Sequence, residues 1–288
     1  MAMVAAWRPL LQVDFMIVRI LTLLLTLSST ALAQETYVQY LANEGVMVTH
    51  EDTRILFDPL YRNGFNNYQM VPEEVREAII AGAAPYDGVD AVFISHFHGD
   101  HFSAEDIRAL LRNNGDIRLY APAQAVAAIR DLSGDPDAAL FDRVVGLDLE
   151  YGDAPVSIQA ENLVIDAVHV PHSGWPTART DVQNISFRVT LANTSTVLHM
   201  GDADARLVHF EADTDYWEQR VIDFAMPPYW FFGSEDGIEL LEYRLSVLNA
   251  VGLHVPAKFS VTSNIPAELR RYDLFTHPGE GRRFEGTQ

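Results

Sequence analysis

The chain has 288 residues and no cysteine, and its 20 Lys and Arg stand against 40 Asp and Glu for a formal charge of -20. Missing thiols exclude disulfides, thiolate metal ligands and cysteine nucleophiles together. The acidic balance, with no Lys/Arg run, argues against a nucleic-acid partner and against a nuclease role.

At the N-terminus, Arg19 precedes the apolar run Ile20-Leu21-Thr22-Leu23-Leu24-Leu25-Thr26-Leu27, and Ala31-Leu32-Ala33 precedes Gln34 in the small-x-small pattern of a secretory cleavage site. The apolar run is well short of the roughly 20 residues a spanning helix needs. Residues 1–33 are therefore expected to be a removed signal peptide, with Met16 a rival to Met1 as the start. Residues 34–288 are expected to form one domain, periplasmic or secreted, without a stable membrane anchor; no lipobox cysteine is present to carry a lipid.

Strands come first, at 37–41, 46–50 and 54–58, separated by Asn43-Glu44-Gly45 and Glu51-Asp52-Thr53 turns. Helices then alternate with strands: a helix at 73–81, a strand at 91–95, a helix after Ser103, a strand at 117–121 and a helix at 123–132. A strand-rich set follows at 144–147, 156–160, 163–170, 186–191 and 196–200. A strand at 221–225, a helix at 234–248 and a strand bearing His254 complete the order. Strand clusters with interspersed helices fit two facing sheets with helices outside.

The chemistry concentrates in His96-Phe97-His98-Gly99-Asp100-His101, three imidazoles and a carboxylate directly after the apolar run 91–95. Imidazole with carboxylate suits zinc or a similar divalent ion, and a thiolate-free cluster is more typical of catalytic than of structural zinc. His96 and His98, two apart on extended backbone, can face one ion. Gly99 permits a turn that sends Asp100 and His101 towards a second. Ser103 reads as the N-cap of the following helix, with Asp106 completing a capping box and Ile107, Leu110 and Leu111 on the apolar face. Single histidines such as His50, His209 and His277 carry no such signal.

With His-x-His-x-Asp-His in place, the chain resembles the metallo-β-lactamase-fold hydrolase superfamily. Within it, the ascorbate-phosphate lactonase-like and N-acylphosphatidylethanolamine phospholipase D-like branch fits best. Val170-Pro171-His172-Ser173-Gly174 resembles the segment of the third histidine for the first metal. Leu198-His199-Met200-Gly201-Asp202 resembles the strand ending in the bridging aspartate, and Val251-Gly252-Leu253-His254-Val255-Pro256 the segment of the last histidine. The resemblance implies an αββα four-layer sandwich holding two divalent ions, zinc first among the candidates. One ion would take His96, His98 and His172; the other would take Asp100, His101 and His254, with Asp202 shared. His169 competes with His172 for the third position, and the resemblance favours His172, just after the strand and its proline. Asp204 is a rival to Asp202, and His199 is expected to be structural or to support a ligand.

By the same resemblance, two dications against Asp100 and Asp202 would hold a bridging hydroxide as nucleophile for an ester, lactone, amide or phosphodiester, with Asp100 the candidate catalytic side chain. The substrate is expected to be a small molecule or lipid-like, and β-lactams fit less well. A non-catalytic metal or ligand-binding protein and a di-iron redox protein are the alternatives. Asp58, at a strand end, is a candidate to orient a ligand imidazole. Segment 226–232, Met-Pro-Pro-Tyr-Trp-Phe-Phe, can be a substrate wall or core packing. Segment 60–86, with Tyr61, Phe65, Tyr68 and Tyr86, is long enough to be a lid.

Overall fold

A computed structural model of the chain describes residues 35–132, 134–212 and 214–287. The expected signal peptide at 1–33 lies outside these residues. Among the described residues no helix is long and apolar enough to cross a membrane.

Strands β1 (Glu35–Ala42), β2 (Gly45–His50) and β3 (Thr53–Phe57) form an antiparallel meander. The chain then crosses over three times. Helix α1 (Glu73–Ala81) leads to β4 (Ala91–Phe93), α2 (Ala104–Asn113) to β5 (Arg118–Pro122), and α3 (Ala123–Asp131) to β6 (Val144–Leu147). These strands add in parallel beside β3. The second sheet is built from β7 (Val156–Ala160), β8 (Leu163–His169), β9 (Ile185–Leu191), β10 (Ser195–His199) and β11 (Phe224–Met226). A last strand, β12 (Gly281–Glu285), returns to pair antiparallel with β1, giving the orders β12-β1-β2-β3-β4-β5-β6 and β11-β10-β9-β8-β7.

Strand periodicity explains the layers. Val46, Val48, Ile55 and Phe57 point between the sheets and pack with Ile165, Phe187, Val189 and Val197, whereas Met47 and Leu56 point outward under α1–α3. Each such side chain, fully buried, contributes roughly 1.5–3 kcal/mol. A third apolar cluster, with Leu198, Met200, Trp217, Phe231 and Leu240, lies on the outer face of the second sheet under the short helices α4 (Thr214–Glu218) and α5 (Glu235–Glu239). Helices outside two facing sheets make the αββα sandwich that the sequence implied.

Local expectations differ from the structure in several places. The helix expected at 234–248 stops early: α5 passes into a π-helical turn at Leu240–Arg244 and ends. Tertiary pairing takes the rest, because Ile222 N donates to Ser246 O and Leu248 N to Ile222 O. His254 then lies on a segment joined by isolated parallel bridges, Ala225 with Ala250 and Pro228 with Leu253, instead of a regular strand. Ser103 does cap α2, its hydroxyl accepting from Asp106 N at 3.3 Å. The reciprocal half of the box is absent: Ser103 N donates to Leu60 O, and the Asp106 carboxylate binds Arg62 and Arg76.

Candidate metal centre

The seven side chains singled out in the sequence arrive at one end of the sandwich from the strand ends of both sheets. His96 to His101 link β4 to α2, turning where His101 N and Phe102 N both donate to His98 O. Gly99 is not in the left-handed region, so this turn needs no glycine conformation. Gly201 does need it. Its φ is +54°, and a Cβ there would stand 2.6 Å from Ser95 Cβ. That close approach sets Asp202, whose N–H donates to Asn184 Oδ1 at 2.9 Å, facing the β4–α2 loop. Asp58 and His254 both adopt positive φ, +39° and +56°, a strained backbone of the kind that concentrates at functional sites.

Three imidazole nitrogens form the first group. His96 Nε2 lies 3.0 Å and His172 Nε2 3.2 Å from His98 Nδ1. The opposite nitrogens of two of these rings have their own acceptors. His172 Nδ1 donates to Ser173 O at 2.8 Å, and His96 Nδ1 lies 3.1 Å from Ser95 Oγ, which itself donates to Asp58. The bare lone pairs of His96 and His172 therefore face inward. Nitrogens on one tetrahedral zinc, with bonds of roughly 2.0–2.1 Å, stand about 3.3 Å apart, close to the spacing found here.

The second group joins Asp100, His101 and His254. Asp100 Oδ2 is 3.3 Å from His254 Nε2 and 3.8 Å from His101 Nε2. Asp202 stands between the groups, Oδ1 at 3.3 Å from His101 Nε2 and 3.1 Å from His254 Nε2, Oδ2 at 3.1 Å from His172 Nε2. Asp58 Oδ2 accepts from His101 Nδ1 at 2.9 Å, fixing the tautomer that turns the Nε2 lone pair inward.

Electrostatics fit cations. Burial and the nearby His101 hold His96 well below the usual imidazole range, and burial with His172 pushes His98 down to about 4, so both stay neutral and free to bind metal. Burial opposes charge on His101 and Asp202 as well. There the carboxylates win, raising His101 well above its usual range, while His254 and His101 hold Asp202 well below its own. Without a cation these carboxylates draw protons onto their imidazole neighbours; a divalent ion supplies the same positive charge and releases them. His101 Nε2, His254 Nε2 and Asp202 Oδ1 are buried without a hydrogen-bond partner, the mark of donor atoms shaped for an ion.

His169, only partly buried at the end of β8, is outside this cluster, and Asp204 is taken up by Arg206 and His209. The aromatic segment divides. Phe231 and Phe232 enter the core, whereas the Trp230 ring lies 5.3 Å from the His254 ring and its Nε1 donates to Ala203 O. Trp230, Ser173, Asp204, Arg206 and Glu235 line a cleft of 580 Å³ beside the centre. Segment 60–86 is pinned and is no free lid: Asn63 N donates to Gly99 O and Ala257 N to Asn67 O, while Leu60 and Tyr61 are buried. Tyr68 from this segment packs its ring 4.0 Å from His254. Sequence reasoning missed Asn43 and Glu44, which lie under the centre. Asn43 Nδ2 donates to Asp100 O and His254 N to Asn43 O. Their only sequence signal was a turn before β2.

Comparison with known proteins agrees with this fold. The beta-lactamase superfamily domain matches residues 53–229. A search of curated protein sequences finds no match. Among solved structures, Igni18, a novel metallo hydrolase from the hyperthermophilic archaeon Ignicoccus hospitalis KIN4/I, is similar with a TM-score of 0.55 at 18% identity, over 87% of this chain and 99% of its own. CmlA, a diiron beta-hydroxylase from Streptomyces venezuelae, is similar with a TM-score of 0.53 at 14% identity, over 88% of this chain and 54% of its own, so the chain spans about half of it. A match to more than half of the sequence decides the family: the chain belongs to the beta-lactamase superfamily, and its fold is the metallo-β-lactamase sandwich.

Proposed function

We propose that the protein is a hydrolase dependent on two divalent ions, zinc first among them, acting on an ester, lactone, amide or phosphodiester of a small or lipid-like molecule. The observation that carries this reading is Asp202 lying between two donor groups, 3.1 Å from His172 through one oxygen and 3.1 Å from His254 through the other. His96, His98 and His172 would hold one ion, and Asp100, His101 and His254 the other. When bound, such a pair supplies Lewis acidity, polarising the scissile bond and making water a nucleophile near neutral pH. The chain's residues do the rest. Asp58 and the Ser173 carbonyl keep His101 and His172 in their ligating tautomers. Asp100, which would bind an ion through Oδ2, is the carboxylate whose other oxygen would accept a proton from the attacking water. Trp230 and Tyr68 flank His254 and exclude bulk water from that side, and the cleft beyond Trp230 seats the substrate.

Secretion through the leader at 1–33 is part of this reading and rests on Arg19, the apolar run 20–27 and the small-x-small site. The same donors suit iron, and the likeness to a diiron hydroxylase keeps a redox protein as the second reading. Elemental analysis of protein purified without chelator, joined to a screen of chromogenic esters, lactones, phosphodiesters and β-lactams, separates the two. Activity abolished by chelation and restored by zinc is the expected result. Iron with a visible absorption band and no hydrolysis would replace the hydrolase with the redox protein.

A further inference from the structure

We infer that Glu44 is a buried counter-charge for the ion held by Asp100, His101 and His254, a positioning residue that sets how tightly this ion is kept; the inference rests on the two-ion reading above. Glu44 lies in the turn between β1 and β2 and is 0% exposed, and its Oε1 has no hydrogen-bond partner. Its neighbour is His199, at the end of β10. His199 Nε2 is 3.0 Å from the Glu44 carbonyl oxygen and 3.0 Å from Glu44 Oε2. A carbonyl oxygen only accepts, so Nε2 carries a proton, and the ring is stacked on Phe57 at 4.9 Å. The turn is tied to the ligands of the second ion: Asn43 Nδ2 donates to Asp100 O at 2.9 Å, and His254 N to Asn43 O at 3.1 Å.

Three roles compete for this carboxylate. A general base must reach solvent or substrate, and Glu44 reaches neither. A third ion among Glu44, Asp58 and His199, whose donor atoms lie within 4.8 Å of one another, meets the proton on His199 Nε2 and an Asp58 already accepting from Ser95 N, Ser95 Oγ and His101 Nδ1. Charge compensation remains, and the balance supports it. Asp58, Asp100, Asp202 and Glu44 are all buried, so with neutral imidazoles and a neutral water on the ions four carboxylates cancel two dications; without Glu44 the centre keeps a net positive charge until that water ionises. Lacking the ions, the same carboxylate is a liability, and burial pushes its pKa up.

The test uses wild type, Glu44→Gln and Glu44→Asp, with zinc as the probe. Stepwise zinc affinity is measured by competition with a chelating indicator, and Tm is measured after chelation. Gln keeps the volume and can still accept from His199, but removes the charge; Asp keeps the charge and loses a methylene. Glu44→Gln is expected to weaken one binding step by about 10–100-fold and the other by less than about threefold, with the Tm of the chelated protein unchanged or higher. Glu44→Asp is expected to hold that ion more tightly than Glu44→Gln. Wild-type zinc affinity in Glu44→Gln, or a greater loss in Glu44→Asp than in Glu44→Gln, overturns the inference while leaving the two-ion reading intact. A wild type that takes up a single zinc ion overturns both.

Discussion

On the two-ion reading proposed above, replacing Asp58 by Asn is predicted to weaken the site of Asp100, His101 and His254 through a proton in the wrong place. Asp58 is 0% exposed and accepts three hydrogen bonds, from Ser95 N at 2.7 Å, Ser95 Oγ at 2.5 Å and His101 Nδ1 at 2.9 Å. An Asn there offers one acceptor oxygen and an NH2 group that only donates. If the oxygen stays on Ser95 N, the NH2 faces His101 Nδ1 and favours the tautomer with the proton on Nε2, pointing at the ion. If the amide is reversed, NH2 meets the Ser95 N–H instead, which is repulsive. Either way a charge-assisted hydrogen bond worth roughly 1.5–3 kcal/mol is lost, between tenfold and a hundredfold or so in affinity. Competition with a chelating indicator reads this directly, and circular dichroism checks that the variant is folded. An Asp58→Asn protein that is folded and holds both ions as tightly as wild type would refute the tautomer argument.

Two further outcomes follow from buried polar groups elsewhere. His50, 1% exposed at the far end of the sandwich, sits between Thr36 Oγ1 and Thr194 Oγ1 at 2.8 Å each, and burial outweighs Glu51 and Asp223 to lower its pKa from 6.5. A histidine held neutral contributes stability that is complete above its unfolded pKa and lost as pH falls below it. The stability advantage of chelated wild type over chelated His50→Gln should therefore shrink as urea unfolding is repeated from pH 7 down to pH 5; a constant difference contradicts this. Arg188, 0% exposed, is bound by Asp166 at 3.0 Å on the outer face of the second sheet, and also meets the Tyr216 carbonyl and ring. Asp166→Leu alone should cost about 3–5 kcal/mol by leaving that guanidinium uncompensated, and adding Arg188→Met should recover most of it. A double variant as unstable as the single one, by denaturant unfolding, would show that the pair is not the cause.

Much of this molecule was legible in local pattern. Alternation in Val46-Met47-Val48 and Ile55-Leu56-Phe57 marks strands with one face between the sheets and one under helices, and the structure uses both faces that way. Six residues, His96 to His101, announced the site because so many strongly hydrated side chains after a buried strand need a shared partner. Less was visible where neighbours in space decide. An apolar helical pattern at 234–248 was cut short by pairing of residues 246–248 with Ile222. The charged segment Gly281-Arg282-Arg283-Phe284-Glu285 carries little strand signal, yet β1 offers an unpaired edge and takes it as β12.

The sequence by itself determined the layers and the donor types, because strand period, helix period and imidazole chemistry are properties of neighbouring residues. Only the tertiary structure decided that His172 rather than His169 turns inward, that Asp202 stands between the two donor groups, and that Glu44 meets His199 across 155 positions beneath them. Those are matters of distance between strand ends, set by how two twisted sheets pack face to face, and no local pattern encodes them.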